Sequence, residues 1–220
     1  MQPYEALMDT YFWHKRWETN EIGFHENKAN PLLTNNFYQL NIAQSNRVFV
    51  PLCGKTLDIG WLLANGYSVV GAELSELAIK QLFTDLGLEA QIKIIGTIKH
   101  YYAPKIDIFV GNIFELNSQI LGPIDAVFDR AALVALPEKM RIDYSQHLMN
   151  ITTNAPQLLI TFEYDQTLME GPPFSITEDE VHQHYAGKYA ISSLECVDVV
   201  GGLKGVLAAT ETVWHLMTMD

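Results

Sequence analysis

Cysteine is nearly missing from this chain. Cys53 and Cys196 are the only two, far apart and in no metal-ligand spacing. That excludes a disulfide scaffold, points to no metal site, and fits free thiols in a reducing cytoplasm. Basic residues are scarce as well: Lys and Arg total 14 against 26 Asp and Glu, for a net charge of −12. A phosphate backbone needs a basic groove, and no lysine or arginine cluster supplies one, so no nucleic-acid partner is expected. No apolar run is long enough to span a bilayer, and no charged-then-apolar leader opens the chain. Internal repeats and low-complexity linkers are lacking too. The expectation is one domain over residues 1–220, with residues 1–45 as a helical cover and 46–220 as the core. It is expected to be cytoplasmic and monomeric, and to act on a small molecule with no membrane.

Glycine is also short where a nucleotide fold would want it. The stretch Arg47 to Glu73 reads as a buried strand, a tight loop, a helix, a turn and a second buried strand. Val48, Phe49 and Val50 form the continuous apolar run of a strand covered on both faces. Gly54 stands where strand turns to helix, and its missing Cβ lets a ligand approach the backbone. Asp58 falls in the first helical turn, where negative charge is favourable. Gly66 is placed as a C-cap, and Glu73 closes the second strand. Gly54-Lys55-Thr56 looks like the tail of a P-loop, but the glycine needed five residues earlier is Phe49, so no phosphate nest forms. A dinucleotide fold wants three glycines here to admit a pyrophosphate. One glycine and a terminal acid suit a ligand with a ribose and no phosphate, and S-adenosylmethionine is such a ligand. Glu73 lies about 20 residues after the loop, where a βαβ nucleotide fold puts an acid against ribose hydroxyls.

The first forty residues read as a cover. Trp13 and Trp17 are four apart and share a helix face. Trp13 is expected to dock the segment on the core, while Trp17 and Phe24 are expected to shield the site from water. Pro31 opens a second helix, taken as Leu32 to Gln44. After Glu73, Ser75 is an N-cap and Gly87 ends the helix. Gln91 to Tyr102 is an additional strand or hairpin. Ile106 to Val110 is a core strand ending at Asn112 and Ile113, placed at the carboxyl end where ligands bind. Ile124 to Arg130 is the next, tipped by Asp129 and Arg130. Asp129 either orients Arg130 or caps the following turn, and capping is preferred. Pro156 to Phe162 is a fifth strand, Gly171-Pro172-Pro173-Phe174 a rigid loop on the same side. Tyr189–Val197 and Val206–Met217 close the sheet as a hairpin. His182 and His184, two apart on a short helix, point in different directions and make no metal pair. The sum is an α/β, three-layer Rossmann-like fold with a mostly parallel seven-stranded sheet and helices on both faces.

With these segments in view, the chain resembles the thiopurine S-methyltransferase family, its bacterial members above all. The resemblance covers nearly the whole length. It rests on Phe12-Trp-His-Lys-Arg-Trp17, Ile22-Gly-Phe-His25, Val50-Pro-Leu-Cys-Gly-Lys-Thr-Leu-Asp58, Val70-Gly-Ala-Glu-Leu-Ser75, Asp129-Arg-Ala-Ala-Leu-Val-Ala-Leu-Pro137, Leu159-Ile-Thr-Phe-Glu-Tyr164 and Gly171-Pro-Pro-Phe174. It implies a class I S-adenosylmethionine-dependent methyltransferase that releases S-adenosylhomocysteine. Trp17 would cover the cofactor, the Leu52 backbone would meet its methionine end, and Glu73 would hold both ribose hydroxyls. Asn112 and Ile113 would take the adenine edge; many bacterial relatives carry aspartate at the first position. Arg130 would touch cofactor and acceptor and is the catalytic candidate. Phe24, Pro172 and Pro173 would line the acceptor pocket. Val199 to Gly205 lacks the arginine-bearing insertion of animal relatives, which leaves the acceptor open. A thiopurine or aromatic thiol is the leading acceptor. A halide, small thiol or selenium or tellurium species is the alternative within the class. A dehydrogenase and a nucleotide-binding module without catalysis are the alternatives outside it.

Overall fold

A computed structural model of the chain describes residues 3–22 and 26–219, with side chains from residue 10 onward. The Phe24 expectation lies outside the described residues. Among the described residues nine strands form one sheet: β1 (Arg47–Val50), β2 (Ser68–Glu73), β3 (Gln91–Ile95), β4 (Ile98–Ala103), β5 (Ile106–Val110), β6 (Ala126–Arg130), β7 (Gln157–Glu163), β8 (Tyr189–Asp198) and β9 (Thr210–Thr218). Their order is β3-β4-β5-β2-β1-β6-β7-β9-β8. The five central strands pair in parallel, and β4 and β9 run against them.

The expected count of seven strands is corrected to nine. The difference is the β3–β4 hairpin, which pairs antiparallel and then lies beside β5. Its outer strand leaves Ile92 and Ile94 exposed, so it carries little of the burial signal that marks the central strands. The last strand also starts later than expected, at Thr210, because residues 201–207 turn back on themselves through the Leu203–Leu207 bridge.

Among the described residues seven α-helices complete the fold: α1 (Pro3–Glu18), α2 (Pro31–Asn36), α3 (Leu57–Ala64), α4 (Glu76–Asp85), α5 (Ser118–Leu121), α6 (Glu138–Thr152) and α7 (Glu178–Tyr185). Alternation along the strands explains the three layers. In β1, Val48 and Val50 face one cluster with Leu32 and Leu33 of α2, Ile59 and Leu62 of α3, and Ile79 and Leu82 of α4. Phe49 faces the other, with Tyr144 and Leu148 of α6 and Val181 and Tyr185 of α7. The caps fall where the residue types direct. Ser75 accepts from the Ala78 N–H at 3.3 Å, and Gly66 and Gly87 take positive φ just past α3 and α4. The helix opened by Pro31 is shorter than expected. It gives way at Asn36 to a 3-10 turn, Phe37–Leu40, ended by Asn41 in the left-handed region. No helix among the described residues is long and apolar enough to cross a membrane.

Candidate active site

The carboxyl ends of the parallel strands open together into a cavity of about 750 Å³. Eight of the nine expected site residues line it: Trp17, Leu52, Glu73, Asn112, Ile113, Arg130, Pro172 and Pro173. The rule that places ligands at this edge of an open α/β sheet accounts for the five that end or follow strands.

The loop after β1 is tightly wound. Leu52 and Gly54 both take positive φ, +46° and +50°. The Cys53 N–H continues the strand pairing to the Ala72 carbonyl at 2.9 Å. For leucine that conformation is unusual and marks a loop held by its surroundings. Gly54 has a second reason to be glycine: a Cβ there would meet Trp17 at 3.0 Å. The space expected for a ligand is thus taken by the indole, which is 5% exposed. Trp13, expected to dock the helix on the core, lines the cavity as well. Both tryptophans sit on one face of α1, so the helix is a wall of the site.

Glu73 is buried at the tip of β2. One carboxylate oxygen accepts the Gly54 N–H at 2.8 Å, the other the Ser75 N–H at 2.7 Å. Burial pushes its carboxyl above the usual range, and those backbone donors pull it back. Each oxygen accepts one of these bonds, and a carboxylate has about four acceptor positions in all, so one on each oxygen is left. Beside it, burial and then the Glu73 charge hold the Cys53 thiol well above its ordinary range. That cysteine stays a neutral thiol. On the far side, Asn112 caps the 3-10 turn Ile113–Glu115 by accepting the Phe114 N–H at 3.1 Å, and Ile113 offers a buried apolar side chain.

Of the two readings of Asp129 the preferred one, capping, is what the structure shows, and Asp129 does not orient Arg130. The Asp129 carboxylate accepts the Leu133 N–H at 3.1 Å and the Tyr144 hydroxyl at 2.7 Å, so it caps the turn after β6. Arg130 instead bonds Glu26, and its other terminal nitrogen lies 3.7 Å from Asp58, itself 1% exposed. Asp58 is more than a favourable first-turn charge: it also accepts the Asn30 N–H at 2.7 Å and the Thr56 hydroxyl at 2.9 Å. It ties the start of α2 to the start of α3 and to Arg130. The Arg130 Nε is buried and has no hydrogen-bond partner among the described residues.

Sequence reasoning missed Glu26, Asp58 as a partner of Arg130, and the cavity-lining Arg16 and Lys204. Arg16 carried a weak signal, since it adjoins Trp17. The others meet only through the tertiary fold. His182 and His184 do diverge: His184 lies 3.2 Å from Glu180 on the packed side of α7, while His182 is exposed.

A parallel core with a reversed closing hairpin and an acid ending its second strand is the architecture of a class I S-adenosylmethionine-dependent methyltransferase fold. Solved structures agree on the fold. The Burkholderia thailandensis 1,6-didemethyltoxoflavin-N1-methyltransferase, with 1,6-didemethyltoxoflavin and S-adenosylhomocysteine bound, aligns with a TM-score of 0.66 at 16% identity, over 98% of this chain and 89% of that one. The magnesium protoporphyrin IX methyltransferase of Synechocystis, with S-adenosylhomocysteine bound, aligns at 0.64 and 12% identity, over 97% and 100%.

The family model for thiopurine S-methyltransferase matches residues 8–219. Thiopurine S-methyltransferase of Teredinibacter turnerae is 52% identical over 209 residues, covering 95% of this chain and 97% of that protein. That of Xanthobacter autotrophicus is 51% identical over 210 residues, covering 95% and 99%. This chain belongs to the thiopurine S-methyltransferase family.

Proposed function

We propose that the protein transfers the methyl group of S-adenosylmethionine to the sulfur of a thiopurine or aromatic thiol. The reading rests above all on Glu73. It is a buried carboxylate with an acceptor position left on each oxygen, which matches a pair of vicinal ribose hydroxyls. Trp17 packs over the adjoining loop, Asn112 and Ile113 would hold the adenine edge, and the Leu52 backbone would meet the methionine end. S-adenosylmethionine, when bound, supplies a methyl carbon already activated by its sulfonium, and the breaking carbon–sulfur bond leaves its electron pair on S-adenosylhomocysteine. The chain's task is therefore alignment and electrostatics. Arg130 is clamped by Glu26 and Asp58, and the terminal N–H groups that they leave unused are the donors for the acceptor thiolate. Pro172 and Pro173 form the acceptor wall. A soft aromatic thiolate needs no strong base, consistent with an Asp129 engaged elsewhere.

The same reading has residues 1–220 working as one unit, a monomer in the cytoplasm, on a small molecule and without nucleic acid. The acidic balance of −12 supports the last point. Calorimetric titration with S-adenosylhomocysteine, paired with a labelled-methyl assay over thiopurines, aromatic thiols, halides, selenite and tellurite, tests the proposal. We expect S-adenosylhomocysteine to bind and labelled thioethers to dominate the products. Binding without methylation of any thiol would overturn it, as would transfer to halide or selenite alone.

A further inference from the structure

Four cations (Arg16, Lys55, Arg130, Lys204) and four acids (Glu21, Glu26, Asp58, Glu73) line the cavity, and they are not all paired. Arg130 is matched by Glu26 and Asp58, and Lys55 lies 3.8 Å from Asp85. Arg16 and Lys204 line the same cavity, and neither forms an ion pair among the described residues. The Arg16 guanidinium stacks 4.5 Å over the Phe12 ring and gives one long bond, 3.4 Å, to the main-chain carbonyl of Glu21 rather than to its carboxylate. Its Nε is buried with no partner among the described residues. The Lys204 ammonium donates to the Pro172 carbonyl at 2.8 Å, which fixes it at the proline wall and leaves two of its three N–H groups unused. The two cations also feel one another: burial, and then Arg16, hold the Lys204 ammonium below its ordinary range. A planar guanidinium beside an ammonium suits an oxyanion, above all a carboxylate that can take both ends of the Arg fork.

We propose that Arg16 and Lys204 form an anion subsite at the acceptor end of the cavity, and that the preferred acceptor is an aromatic thiol bearing a carboxylate away from its sulfur. This rests on the methyl-transfer reading above and narrows its substrate class. Arg130 serves the reacting sulfur. The Arg16–Lys204 pair, contributed by the first helix and by the loop before the last strand, serves the far end of the acceptor.

The test compares 4-mercaptobenzoate with its methyl ester in the wild type, Arg16→Gln, Lys204→Gln and the double variant. Calorimetry measures binding with and without S-adenosylhomocysteine, and a labelled-methyl assay measures kcat/KM. We expect the wild type to favour the carboxylate over the ester. Each single variant should lower that preference about tenfold, through KM and binding rather than kcat, since a charge-assisted hydrogen bond is being removed. The double variant should abolish it, and Lys204→Arg should restore part of it. Lys204 is on an exposed loop, so its variants keep the test clean if Arg16→Gln folds poorly. Equal affinity of wild type and Lys204→Gln for the carboxylate would overturn the subsite. So would a parallel fall for acid and ester. Loss of carboxylate binding in the variants, without methylation of either thiol by the wild type, would uphold the subsite and refute the reaction instead.

Discussion

Replacing Glu73 by alanine should separate cofactor binding from folding. The carboxylate has about four acceptor positions, and two are taken by the Gly54 and Ser75 N–H groups. The two that remain match two ribose hydroxyls. Hydrogen bonds to a charged group contribute about 1.5–3 kcal/mol each, so losing the pair should cost at least about 3 kcal/mol of affinity. That is roughly a hundredfold or more in Kd. The same change strips the partner from two backbone N–H groups in a buried loop, about 1–3 kcal/mol apiece, so the melting temperature should fall as well. Glu73→Gln keeps a single acceptor oxygen and should lie between, about tenfold weaker than wild type. Isothermal titration with S-adenosylhomocysteine on folded variants, verified by circular dichroism, gives the comparison. Because burial raises the Glu73 carboxyl, wild-type binding should begin to weaken on acidification at a higher pH than an exposed glutamate would cause. A Glu73→Ala protein binding within threefold of wild type would refute the reasoning.

Asp129 gives a pH signature. Burial pushes its carboxyl up to about 6, against about 3.9 when unfolded, so between those values the folded state binds more protons. Stability from this group is therefore full below the unfolded value and lost as pH rises through about 6. The loss is about 3 kcal/mol over the whole window, with nearly half of it above pH 5. Urea titrations at pH 5 and 7.5 should show wild type losing about 1–1.5 kcal/mol of its advantage over Asp129→Asn across that range; a gap that does not move with pH would rule this out. Tyr185 is fully buried and its hydroxyl has no partner among the described residues. Tyr185→Phe should raise stability by about 1 kcal/mol, and a lower denaturation midpoint would contradict the unpaired hydroxyl.

Much of the fold was legible because its centre obeys simple patterns. Val48–Val50 and Ile106–Val110 read as strands through continuous apolar runs, which only strands covered on both faces tolerate. Ser75, Gly66 and Gly87 act through their own backbones and were readable one by one. The β3–β4 hairpin was harder, because an edge strand with exposed isoleucines has no burial pattern to read. The site divides the same way. Glu73, Asn112 and Arg130 were accessible because each ends or follows a parallel strand, and the sheet rule names that edge. Glu26 against Arg130, Asp58 as the joint between two helices, and Trp17 filling the space over Gly54 depend on how α1 and the following segment lie across the core. No local pattern encodes that placement.

The packing of Trp17 on Gly54 has a practical side. The chain has four tryptophans. Trp13 and Trp17 wall the cavity, while Trp61 packs against Phe37 and Trp214 donates to the Thr161 hydroxyl inside the core. Two indoles thus stand where a bound ligand would alter their surroundings, and two stand away from the cavity lining.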